Sequence, residues 1–111
     1  MITQPDGPVP CNVRFVPVLS LRRSLEELAR DFGFRVESGL DDLDEYKVIH
    51  LQLDNGCKFL LMRYRGSPVD MLDIYIPAGR SDYHGCLDDI LKELGAVKSD
   101  VIEWEGEYER F

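Results

Sequence analysis

Residues 46–77, YKVIHLQLDNGCKFLLMRYRGSPVDMLDIYIP, decide the fold. Three apolar runs rich in β-branched and aromatic residues are separated by two turn signals, so the stretch reads as an antiparallel meander. Asn55-Gly56 is the strongest short hairpin signal, because a type I′ turn needs positive φ at both central positions. A two-residue loop there sets Asp54 opposite Cys57, Leu51 opposite Leu60 and Ile49 opposite Met62. Gly66-Ser67-Pro68 then places Arg65 opposite Val69, Leu60 opposite Ile74 and Met62 opposite Leu72. On this register one face carries Ile49, Leu51, Leu53, Leu60, Met62, Leu72 and Ile74, a core face for helices to cover. The other carries Val48, His50, Gln52, Phe59, Leu61, Arg63, Met71, Asp73 and Tyr75, mixed in character.

Helices flank the meander. Ser24 followed by Glu27 forms a capping box. Leu21, Leu25, Leu28, Ala29 and Phe32 then recur at helical spacing. Gly33 suits the left-handed closing position, with Phe34 as its apolar contact. A second helix is expected to begin near Ser81 or Asp82. Tyr83, Leu87, Ile90, Leu91 and Leu94 form its stripe, and Gly95 ends it. Asn12–Leu19 is an extended segment that Pro17 restricts to a sheet edge. The acidic stretch 37–45, ESGLDDLDE, reads as a loop, and a last strand runs from about Val101 to Trp104, with a continuation to Tyr108 left open. Residues 1–10, with three prolines and a glycine, form an extended or mobile arm, and 11–111 make one domain. The order (β)-α-β-β-β-α-β predicts an α+β two-layer sandwich, a three- to four-stranded antiparallel sheet with two helices on one face.

Composition narrows the function classes. The 111 residues are 44% apolar, with five Phe, five Tyr and one Trp, which supports an ordered core. No run approaches the roughly 18 apolar residues of a membrane span, and residues 1–10 lack the basic and apolar regions of a signal peptide. Cys11, Cys57 and Cys86 are odd in number and irregularly spaced, so a cytoplasmic, reducing location and no disulfide framework are expected. A net charge of −8 disfavours nucleic-acid phosphates and anionic lipid, and favours solubility or a basic partner.

In element order the chain resembles double-stranded-RNA-binding domains, but its second helix begins SDYHGCLDD, without the basic cluster that would hold phosphates. It also resembles class I type III secretion chaperones over residues 24–94, through SLEELARDFG, LQLDNGCKFLL and LDIYIPAG. That resemblance implies a small acidic dimer that binds another protein. The proline-bearing arm and the tail EWEGEYERF depart from it.

Chemistry-bearing motifs are sparse. Cys86 near a helix N-terminus suggests a thiolate, yet His84 lies about 200° around the helix from it and diverges. No CxxC or HxxxH spacing gathers zinc ligands, and Asp41, Asp42, Asp44 and Glu45 lack the glycine and distal Glu of a calcium loop. Glycine-rich phosphate loops and GxSxG are also lacking, so no cofactor, metal or catalytic residue is assigned. The expectation is a non-catalytic protein-binding domain, a regulator of inhibitor, immunity or chaperone type, open to homodimer formation. Its partner surface is Phe59, Leu61, Met71 and Tyr75, with an acidic last strand of Glu103, Trp104, Glu105 and Glu107. The arm Val13–Leu19 covering that face is the competing expectation. The alternative function is a small enzyme or ligand-binding domain, in which His50, Leu61 and Asp73 form a row across the sheet with Arg63 diagonal to it.

Overall fold

A computed structural model describes residues 2–6, 12–40, 44–79 and 83–103. The elements run β1 (Ile2–Thr3), β2 (Phe15–Leu21), α1 (Leu25–Phe32), β3 (Glu37–Leu40), β4 (Glu45–Leu53), β5 (Lys58–Tyr64), β6 (Leu72–Pro77), α2 (Tyr83–Glu93), a 3-10 turn (Lys98–Asp100) and β7 (Val101–Glu103). This is an α+β fold with one antiparallel sheet of seven strands, larger than the three to four expected. Its order is β1-β4-β5-β6-β2-β7, with β3 also paired to β4.

The additional strands come from an acidic segment of little strand character and from a run only two residues long. The acidic stretch expected as a loop supplies β3 and the start of β4, with Glu37 opposite Val48 and Gly39 opposite Tyr46. Gly39 leaves room for the Tyr46 ring, which would have to shift to admit a Cβ there. The N-terminal residues add β1, pairing Ile2 with Leu53. The Gln4 side-chain amide holds it in place, donating to the Arg35 carbonyl at 2.7 Å and accepting from the Arg35 N–H at 2.6 Å. β2 lies between β6 and β7 rather than at an edge. Its Pro17 is tolerated because the register shifts between Pro17 and Leu19, while β7 pairs only with Leu19, Ser20 and Leu21.

Both helices end as their sequences dictate. The Ser24 hydroxyl accepts from the Glu27 N–H, and Gly33 closes α1 at φ 74°. Leu25, Leu28 and Ala29 are buried, whereas Phe32, expected within the stripe, is 44% exposed and stacks on Phe34. Gly95, at φ 71°, follows α2. The expected caps Ser81 and Asp82 lie outside the described residues.

The hairpin register differs from expectation by one residue at each turn. Asn55 does not take positive φ, so the type I′ turn is not made. A three-residue turn forms instead, with Gly56 at φ 88°, Leu53 N–H donating to the Cys57 carbonyl and the Asn55 side chain capping the Cys57 N–H. Leu51 therefore pairs with Phe59, Ile49 with Leu61 and His50 with Leu60. The next connection, two successive turns closed by Ser67 N–H to Tyr64 O and Met71 N–H to Pro68 O, shifts the register once more, pairing Leu61 with Ile74 and Met62 with Asp73. The two slips add to a two-residue shift of β6 against β4, which keeps the facing of both, so that β5 alone is turned over.

A single buried cluster therefore contains Ile49, Leu51, Leu53, Phe59, Leu61, Leu72, Ile74 and Ile76 from the sheet, with Leu25 and Leu28 of α1 and Leu87, Ile90 and Leu94 of α2. Phe59 and Leu61, expected on the outer face, are fully buried in it, and Leu60 and Met62 take the opposite face. Each such side chain contributes roughly 1.5–3 kcal/mol of burial. Cys57 and Cys86 lie within the same cluster.

Candidate functional site

The sheet face turned away from the cluster is built from alternate residues of four strands. One row reads His50, Leu60, Tyr75 and Pro17, and the next reads Val48, Met62, Asp73 and Ser20. Its centre is apolar and closed: Val48, His50 and Leu60 are buried yet only His50 among them is polar. Phe15, from β2, reaches across the face although β5 and β6 lie between its strand and β4. Its ring stands edge-on to His50 at 6.4 Å. The segment expected as a possible cover is instead a strand of the sheet itself, from which the Phe15 ring meets His50. Around this centre Tyr46, Met62, Tyr64, Met71 and Tyr75 are half-buried, with Tyr46 and Tyr64 meeting edge to face at 6.0 Å.

His50 is the least satisfied polar group on this face. It is 5% exposed, and neither ring nitrogen has a hydrogen-bond partner among the described residues. Burial, with the Lys58 charge adding to it, pushes its pKa below the usual 6.5, and Glu37 pulls weakly the other way. The folded state therefore holds the imidazole neutral, while the unfolded chain binds a proton near pH 6.5. Acidification below pH 6.5 erodes stability until the folded pKa is passed, where the loss levels off. Thermal melts between pH 8 and pH 5 should show this decline in the parent. His50→Phe should flatten it, and an unchanged profile would remove His50 as its source.

Asp73 lies two residues along the sheet from the His50 row, about 12 Å from His50 by ordinary strand spacing. The Ser20 hydroxyl donates to its Oδ1 at 2.6 Å. Burial raises the Asp73 pKa, and the Ser20 hydrogen bond offsets part of that rise. Arg63 belongs to neither group. The inverted β5 places it beside α1, where Nη2 donates to Glu26 Oε1 at 2.9 Å and Nη1 reaches the Tyr64 and Ser67 carbonyls. Its Nε is buried without a hydrogen-bond partner among the described residues. Burial alone would raise the Glu26 pKa, but hydrogen bonds from Arg63 and the backbone, with the Arg63 and Lys47 charges, hold it below the usual carboxylate range.

The expected row of His50, Leu61 and Asp73 with Arg63 diagonal is therefore not assembled. Leu61 is in the core, Arg63 faces Glu26, and His50 and Asp73 belong to different rows. Of the expected partner surface, Met71 and Tyr75 are half-buried near this face, and Phe59 and Leu61 are in the core. Glu103 is opposite Leu19 at the end of β7. Trp104, Glu105 and Glu107 lie outside the described residues, as do Cys11 and the side chain of His84. Tyr46, Met62 and Tyr64 were missed by the sequence reading, the first two through strand limits and register.

Two cavities adjoin these groups. A cleft of about 630 Å³ is lined by Ser38, Leu40, Glu45, Lys47, Arg63 and Arg65, but its cations are already matched. Lys47 and Arg63 meet Glu26 at 3.7 and 2.9 Å, and Arg65 meets Glu45 at 3.6 Å. A second cavity, of about 280 Å³, contains Asp73 and Ser20 beside Met62 and Met71. Among the described residues no group of three or more His, Cys, Asp or Glu could hold a metal ion, and no helix is long and apolar enough to cross a membrane.

No protein-family model, curated protein or solved structure matches this chain.

Proposed function

We propose that this chain is a non-catalytic protein-binding domain, a small acidic regulator of inhibitor, immunity or chaperone type. In this reading the fold is a two-layer sandwich, with α1 and α2 covering one face of the sheet and the opposite face meeting the partner. The observation that carries it is the composition of that opposite face. Half-buried Tyr46, Met62, Tyr64 and Tyr75 surround a buried centre that lies outside the helix-packed cluster. Aromatic and methionine side chains supply large contact area at modest entropic cost, which suits them to interface anchors. The net charge of −8, with the four glutamates among residues 103–109, would steer a basic partner towards the domain.

Catalysis is less well supported, because His50, Asp73 and Arg63 do not converge on a common point. The test is capture by the tagged chain in its own host, followed by affinity measurement on the partner so obtained. Met62→Lys should weaken binding at least tenfold, whereas Asp89→Lys on the exposed side of α2 should change it less than threefold. The same outcome with a second copy as partner would make the face a homodimer interface. Equal binding by both variants would overturn the reading.

A further inference from the structure

We propose that the cavity at Asp73 is an anchor pocket for a basic side chain, a lysine or arginine presented by the partner chain. The proposal rests on the partner-surface reading for the source of the group, and on the cavity itself for the chemistry.

The cavity lies where β6 leaves the connection 65–71, at one end of the aromatic and methionine face. Its volume of about 280 Å³ falls just under the roughly 300–1,000 Å³ of drug-sized pockets, a scale suited to one long side chain. Its walls divide by chemistry. Met62, Pro68, Met71 and Leu72 are apolar, Ser20, Ser67 and Asp73 are polar, and Arg63 is the one cation among these lining residues. This matches a basic side chain, whose aliphatic stem seeks apolar cover while its charged head seeks an acceptor.

Asp73 supplies that acceptor. Its one described hydrogen bond is from Ser20, to Oδ1, and among the described residues no cation pairs with it. The nearest cation of the wall, Arg63, is engaged with Glu26 and with the Tyr64 and Ser67 carbonyls. A half-buried carboxylate with a single neutral donor is costly to ionise, which is the reason its pKa is raised. An incoming ammonium or guanidinium removes that cost by pairing with the charge. Binding should consequently strengthen as pH rises through the Asp73 pKa, since the carboxylate is the binding form.

The experiment follows the Met62 and Met71 methyl resonances of the full chain during titration with three probes. These are n-butylammonium, n-butanol as the neutral analogue, and the capped peptide Ala-Ala-Lys-Ala-Ala. Both cationic probes should shift the two methyls and saturate, with n-butanol at least tenfold weaker. Asp73→Asn, which keeps the shape and the Ser20 contact, should reduce cation affinity at least tenfold with the fold intact by melting. Ser20→Ala, which keeps the carboxylate, should retain affinity within threefold. Absent shifts, equal binding of n-butanol, or full affinity in Asp73→Asn would overturn the pocket. Binding of n-butylammonium without the lysine peptide would overturn the side-chain source. If the pocket binds both cations while Met62→Lys leaves partner capture unchanged, the pocket stands and the partner-surface reading alone fails.

Discussion

Phe59→Ala is expected to destabilise the fold by about 3–5 kcal/mol, a large part of the stability of a domain this size. Phe59 is fully buried opposite Leu51, in the cluster that both helices share, so truncation leaves a cavity the neighbours fill only partly. Met62→Ala, three residues along the same strand on the half-buried face, should cost under about 1 kcal/mol beside it. The pair discriminates between the two possible orientations of β5. Had the Asn55-Gly56 turn been the two-residue form, the order of the two losses would be reversed. Chemical denaturation of both variants measures it.

Ile90→Ala should cost about 2–5 kcal/mol for a related reason. Ile90 is fully buried and stands in the middle of α2, within the cluster that also holds Leu25 and Leu28 of α1. Loss of its side chain loosens α2 from the sheet. Lys92→Ala, two residues on and exposed, should change stability by less than about 0.5 kcal/mol. Similar small losses for both would mean that α2 does not pack into this core.

These contrasts mark where local sequence was informative. α1 was readable at both ends, because Ser24 and Gly33 act through hydrogen bonds and a φ value that depend only on their near neighbours. The stripe of α2 was readable for the same reason of period, and Leu87, Ile90 and Leu94 are buried as expected. β5 was not. Phe59, Leu60, Leu61 and Met62 are four consecutive apolar residues, so the strand carries no alternation of its own. Its facing rested wholly on the turn type, and Asn-Gly fits a three-residue turn with only glycine at positive φ as well as the two-residue form. One added loop residue inverted every β5 side chain and dispersed the expected group of His50, Leu61, Asp73 and Arg63. β3 was illegible because Glu37–Leu40 has weak strand propensity, and β1 because the two residues Ile2 and Thr3 are too short a run to signal a strand; both pair with β4. The Asp73 cavity needed the 65–71 connection and β2 brought together, a relation no local pattern contains.

The partner-surface reading is tested most directly by photocrosslinking in the chain's own host. A benzophenone amino acid replaces Tyr75 on the proposed surface or Asp89 on the exposed side of α2, each in the otherwise unchanged chain. The account predicts one discrete crosslinked species from position 75, suppressed by Met62→Lys, and none from position 89. Crosslinks from position 89 with none from position 75 would contradict it.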